Sequence, residues 1–305
     1  MKRILITGAS GLLGLNMALD IAGQYEVYGV VNSHAPQTDA FHVVQANLLG
    51  ADAPARLIAE TKPDLIVHCA AVANLETAEK QPELAQKLNA DVPGQLATEA
   101  ARHGIRMVHI STDAVFDGVT GCYAETDAPN PLSAYGRTKL AGERAVAAAN
   151  PDAIIARVNF YGWSLSGRRS LAEFFYNNLA AGNPVKGFTD VYFCPLFVLD
   201  LSNTLLKMLD AGLSGLYHVV SPEFLSKFDF GVRLAQQFGL DASLIAPASV
   251  NAGGLTAVRS SRLNLRTEKL TRDLGAAPGI SAGLDRFYAQ CQAGFPQQIQ
   301  AMQPA

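Results

Sequence analysis

The sequence predicts an α/β fold built on a doubly wound parallel sheet, and three observations carry that expectation. Short β-branched runs alternate with helical stretches through the first half of the chain; an apolar strand near the start runs straight into three glycines spaced three apart; and the alternation loosens beyond about Asn159. Such alternation implies parallel strands joined by right-handed helical crossovers, which brings every strand's C-terminal end to one rim. The looser remainder implies a smaller C-terminal substrate-binding lobe. The expected division is a nucleotide-binding domain over 1–158, later elements near 195–220 joining it, and a lobe formed mainly by 159–305.

The first strand is Arg3–Thr7, and Ile4-Leu5-Ile6-Thr7-Gly8-Ala9-Ser10-Gly11-Leu12-Leu13-Gly14 carries it into a helix over Gly11–Ala22. Gly8 permits the tight turn, Gly11 lets backbone approach an anion with no Cβ in the way, and Gly14 lets the helix lie close on the strand. With Ser10, Leu12 and Leu13 these residues form a cradle whose free N–H groups suit a dinucleotide's pyrophosphate, so the sheet is expected to be of Rossmann type. A second strand, Glu26–Val31, ends in Asn32 and Ser33, where a carboxylate would hold the adenosine ribose and repel a 2′-phosphate. With no acid there, NADP(H) is slightly preferred over NAD(H), although no arginine in that stretch clamps the phosphate and dual use stays open. A third strand, His42–Gln45, leads to Asn47 and Leu48 on the adenine side. Helix Ala53–Glu60 precedes a fourth strand, Asp64–Ala70; the residues Ala70, Ala71 and Ala73 either let ribose and nicotinamide lie against backbone or are ordinary core alanines. A long helix over Glu76–His103 carries Asn89, read equally as a cofactor contact or as a brace for neighbouring backbone. Strand Arg106–Ser111, helix Ala134–Ala149 and strand Ala153–Val158 complete the domain. Beyond lie helices Leu171–Ala181 and Val198–Ala211, a strand at Leu216–Val220, and helices Ser226–Phe238, Thr267–Leu274 and Ala282–Gln292. The polar tail Pro296–Ala305 is expected to fray.

Composition narrows the function classes. Across 305 residues, 24 Lys and Arg stand against 27 Asp and Glu, a net charge of -3, which gives no electrostatic reason for nucleic acid or an anionic membrane as partner. Cys69, Cys122, Cys194 and Cys291 form no Cys-x-x-Cys pair, and the six histidines show no metal spacing, so neither a zinc site nor a disulfide framework is suggested. The apolar run after Met1-Lys2-Arg3 ends at Thr7-Gly8, too short to span a membrane or direct export. A cytoplasmic protein is the expectation.

The chemistry lies later. Val108-His109-Ile110-Ser111-Thr112-Asp113 is an apolar strand ending in hydroxyl and carboxylate groups on the rim where the glycine loop lies. Tyr135-Gly136-Arg137-Thr138-Lys139 then places a phenol and an ammonium one helical turn apart on one face. An ammonium close to a phenol favours the phenolate, so the expectation is a Tyr135 pKa drawn down towards working pH, with Thr112 hydrogen-bonding the same substrate oxygen.

In that order these motifs resemble the extended branch of the short-chain dehydrogenase/reductase superfamily. The finer resemblance is to the dTDP-4-dehydrorhamnose reductase family, on Ser111-Thr112-Asp113-Ala114-Val115-Phe116-Asp117-Gly118, Tyr123-Ala124-Glu125, Pro129-Asn130-Pro131 and Tyr135-Gly136-Arg137-Thr138-Lys139. It implies an NAD(P)H-dependent reductase of a nucleotide-linked 4-keto-6-deoxy sugar, with hydride from nicotinamide and a proton from Tyr135. Thr112, Tyr135 and Lys139 would be catalytic, Lys139 also holding the nicotinamide ribose. Asp113 followed by Ala114 lacks the second carboxylate of the similar 4,6-dehydratases. Asp113, Asn159, Phe160, Trp163 and Arg262 are the substrate-side candidates, with core packing the alternative for Trp163. Arg259 and Arg262 are candidates for a diphosphate contact or for packing. The segment Thr189–Leu196 departs from the family's more polar pattern. A homodimer fits the resemblance. Two alternatives remain: an epimerase or other ketone reductase, and a non-catalytic dinucleotide-binding regulatory subunit, since the accessory subunit of methionine adenosyltransferase is similar to this family.

Overall fold

The computed structural model describes residues 1–50, 52–250 and 260–304. Arg259 lies outside them. The strands are β1 (Arg3–Thr7), β2 (Glu26–Val31), β3 (His42–Gln45), β4 (Leu65–His68), β5 (Arg106–Thr112), β6 (Ile154–Val158), β7 (Phe160–Tyr161), β8 (Val185–Phe188), β9 (Tyr192–Phe193), β10 (Leu196–Phe197), β11 (Gly215–Val219), β12 (Leu225–Ser226), β13 (Ile245–Ala248) and β14 (Arg262–Leu263). Seven form one sheet in the order β11-β6-β5-β4-β1-β2-β3, every neighbouring pair parallel. The doubly wound α/β expectation therefore holds, and β11 returns from the second half of the chain to the sheet's far edge.

The helices are α1 (Leu12–Ile21), α2 (Ala53–Thr61), α3 (Leu75–Lys80), α4 (Pro82–Gln86), α5 (Val92–Arg102), α6 (Ala134–Ala149), α7 (Leu171–Ala180), α8 (Val198–Asp210), α9 (Lys227–Phe238), α10 (Glu268–Leu274), α11 (Ile280–Gln292) and α12 (Phe295–Ala301). The period-two pattern of the strands separates two apolar layers. Ile4, Ile6, Val67 and Val108 face Leu15, Met17, Leu201 and Leu205 on one side, while Leu5, Ile66, Met107 and Ile155 face Leu57, Leu96 and Val146 on the other. The first layer continues without a break into the lobe through Phe175, Phe197, Phe230 and Phe287.

Three expectations need correction. The single helix over Glu76–His103 is instead α3, α4, a π-helical turn at Lys87–Asp91, and α5. Pro82 and Pro93 lack the amide hydrogen an uninterrupted helix requires; Pro82 opens α4, and Pro93 is the second residue of α5, just after the π turn. The tail does not fray: α12 buries Ile299 and Pro296, and Gln303 Nε2 donates to Leu165 O at 2.6 Å. The lobe's two-residue strands, too short to show a period, were not foreseen; β9 lies between β12 and β14, and β7 pairs with β10. Among the described residues no helix is long and apolar enough to cross a membrane.

Candidate active site

The C-terminal ends of β1, β2, β4 and β5 meet at one rim. At the first, Gly8 has φ +69°, and a Cβ there would stand 2.9 Å from Ala70 backbone; a Cβ on Gly14 would stand 2.4 Å from Gly8 O. Only glycine allows the loop to lie this tightly beneath α1. Gly11 caps α1 with no side-chain bond, and the first turn holds no acid, so the early N–H groups face outward unneutralised. Ser10 and Leu12 are half-buried there, whereas the Leu13 side chain is in the core and offers only its amide. That cradle fits a pyrophosphate.

Around it, Asn32 and Ser33 are exposed at the end of β2. Asn47 accepts the Leu49 amide through Oδ1 at 3.0 Å, closing the turn after β3, while Leu48 packs in the core beside Leu57. Thr7 Oγ1 accepts the amides of Cys69 and Ala70, both at 3.2 Å, and so seats the chain after β4 under the glycine loop. Ala70 and Ala71 are half-buried and Ala73 exposed. Asn89 is wholly buried in the π turn: Oδ1 accepts the Val72 amide at 2.8 Å, and Nδ2 donates to Val72 O and to Thr138 Oγ1. Its polar atoms brace the 70–73 segment against α6, leaving none directed at a cofactor. The brace reading replaces the cofactor-contact reading.

Ser133 caps α6 by accepting the Gly136 amide, which presents Tyr135 and Lys139 on one face. The Thr112 hydroxyl faces the Tyr135 phenol and favours its anion, while Asp113 opposes it. Burial is the largest effect and, with Asp113 acting in the same direction, outweighs Thr112 and pushes the Tyr135 phenol up to about 12. The expected downward shift is thus reversed by burial; Lys139, whose Nζ donates to Ile110 O at 2.6 Å, is not among the groups that shift the phenol. Burial draws Lys139 itself down to about 8, against the charge of Glu143. Asp113, buried, has its carboxyl raised by desolvation; Asn159 Nδ2 donates to Oδ2 at 2.6 Å and Thr112 Oγ1 to Oδ1 at 3.1 Å.

On the substrate side, Phe160 is half-buried on β7, and Arg262 is exposed on β14, its amide donating to Gly118 O. Trp163 does not join them. It is 1% exposed, stacks on Phe287 with centroids 4.1 Å apart, and donates Nε1–H to Phe287 O, so it is lobe core. Sequence reasoning missed the support beneath the site. Glu143 accepts Arg157 Nε and Nη2 at 2.9 and 2.8 Å and the Ser111 hydroxyl at 2.5 Å, tying α6 to β5 and β6. Its place one turn after Lys139 was the available signal.

A seven-stranded parallel sheet, a glycine cradle at its first switch to helix, and a Thr–Tyr–Lys group beside it define an oxidoreductase of the extended short-chain dehydrogenase/reductase class. Within that class the chain belongs to the family described as RmlD substrate binding domain, which matches residues 1–292. It is 36% identical over 277 residues to the probable low-salt glycan biosynthesis reductase Agl14 of Haloferax volcanii, covering 89% of this chain and 92% of that one. It is 33% identical over 262 residues to methionine adenosyltransferase 2 subunit beta of Bos taurus, covering 81% and 75%. The crystal structure of dTDP-4-dehydrorhamnose reductase from Bacillus anthracis in complex with NADP superposes with a TM-score of 0.85 at 26% identity, covering 95% of this chain and 100% of that one.

Proposed function

We propose that this protein is an NAD(P)H-dependent reductase of a nucleotide-linked 4-keto-6-deoxy sugar. The observation that carries the reading is the Thr112–Tyr135–Lys139 group on the rim that also holds the glycine cradle. A dinucleotide held in the glycine cradle would supply hydride to the carbonyl carbon. Tyr135, protonated across the working range, gives its proton to the carbonyl oxygen as negative charge develops there, and Thr112, whose one hydroxyl hydrogen goes to Asp113 without substrate, turns it to the same oxygen. Lys139, fixed at Ile110 O, lies one turn along the helix and favours the tyrosinate left behind. Asp113 and Asn159, bonded to each other, orient Thr112 and offer acceptor and donor to sugar hydroxyls. Gly8, Ser10, Gly11, Leu12 and Leu13 hold the pyrophosphate, and the absence of an acid at Asn32 and Ser33 favours NADPH.

The test follows NADPH and NADH at 340 nm with dTDP-4-keto-6-deoxyhexoses for the native protein and Tyr135→Phe. Turnover that falls at least about 100-fold in the variant, with dinucleotide binding kept, supports the reading. Folded native protein that binds dinucleotide yet turns over no keto sugar overturns it, and moves weight to the regulatory role that the likeness to methionine adenosyltransferase 2 subunit beta suggests.

A further inference from the structure

Two histidines that this reaction leaves unused lie side by side beneath Lys139. His68 ends β4 and His109 is its register partner on β5; they are 1% and 0% exposed, and their rings stack with centroids 5.5 Å apart. Thr7 Oγ1 already accepts two amides, so its hydrogen is left to donate to His68 Nδ1, 2.7 Å away. That assigns the proton of neutral His68 to Nε2. This donor has no partner among the described residues, and neither ring nitrogen of His109 has one there. Burial holds both imidazoles neutral, His68 near 3 and His109 well below its ordinary value, and the Lys139 charge acts on both in the same direction.

The three ring nitrogens lie on two stacked, buried rings and call for enclosed hydrogen-bonding partners, since buried polar atoms are almost always satisfied by protein or enclosed water. Lys139 needs one too. Its ammonium carries three donors, and Ile110 O is its hydrogen-bond acceptor among the described residues. The geometry points to the His68–His109 pair as a positioning element for Lys139, seating an enclosed water that gives the ammonium a second acceptor and holds it in place. The function assigned to Lys139 rests on the proposed reductase reading; the hydration of the pair does not. The other titratable groups around the ammonium are Tyr135 and Glu143 on α6 and Cys69 after β4, with Arg157 of β6 bound to Glu143. Of these, Glu143 favours its charge, while burial keeps the Cys69 thiol protonated and neutral. The imidazoles, neutral throughout, act as hydrogen-bonding groups rather than as charges.

The experiment uses full-length protein, without dinucleotide or sugar, labelled with 15N at lysine Nζ and histidine ring nitrogens; the Lys139 signal is assigned by its loss in Lys139→Met. His109→Phe removes both nitrogens and keeps the packing, and is expected to lower the Lys139 pKa by about 1 to 2, as loss of a hydrogen bond to a charged group should. His109→Gln, which restores a neutral donor and acceptor, is expected to bring it back. His109→Met replaces the Phe variant if that does not fold. In the native protein, a water cross-peak to the His109 ring is expected. A Lys139 pKa identical in native and His109→Phe protein, or no water cross-peak, overturns the inference. Because no turnover is read, failure of the reductase reading leaves these outcomes intact, and the reverse also holds.

Discussion

Replacing Lys139 by methionine should change not the level of stability alone but its dependence on pH. Lys139 is 2% exposed, and burial brings its pKa from 10.5 to about 8. Between those values the unfolded chain binds a proton that the folded chain has released, so stability rises with pH across this window. Below about pH 8 the folded protein bears the full cost of burying the ammonium; by about pH 10.5 the cost has gone. At about 1.4 kcal/mol per pH unit, a fall of 2.5 is worth about 3 kcal/mol. The Met variant keeps side-chain length and has no charge to bury, and its lost bond to Ile110 O enters as a nearly constant offset. Urea unfolding of native protein and Lys139→Met at pH 7, 8, 9 and 10 isolates this residue, since the other titrating groups largely cancel in the difference. The variant's stability relative to native should fall by up to about 3 kcal/mol as pH rises from 7 to about 10.5. Parallel curves would refute the reasoning, because they would mean that the buried ammonium is fully compensated by its surroundings.

Two further outcomes follow from the same site. Glu143→Gln leaves Arg157 buried without its charge partner and should cost about 3 to 5 kcal/mol by denaturant unfolding; a loss below about 1 kcal/mol would show that the ion pair contributes little. Ser33→Asp restores a carboxylate at the exposed end of β2 and should turn the ratio of NADPH to NADH affinity at least about tenfold towards NADH in calorimetric titrations; an unchanged ratio would mean the 2′-phosphate lies elsewhere.

The parallel sheet, the places of its first six strands along the chain and the glycine loop could be read from sequence, because each depends on short-range periodicity or on a backbone conformation that one residue type permits. The spacing of Tyr135 and Lys139 could be read for the same reason: four residues along a helix always share a face. Packing decided the rest. Nothing local distinguishes Trp163 in a sugar pocket from Trp163 stacked on Phe287, and the helix in the polar tail exists because Ile299 has a lobe to bury against. The break before α4 is different, since Pro82 was in plain view and the apolar spacing on either side of it hid the interruption. Charge was the least legible quantity. Sequence placed an ammonium near a phenol and implied a lowered Tyr135 pKa; the fold carries that ammonium to Ile110 O and buries both groups, so Tyr135 rises and Lys139 falls. Which groups stand at fixed spacing is a property of the chain, whereas how much water each retains, and which partner its charge meets, is set by elements that only the tertiary structure brings together.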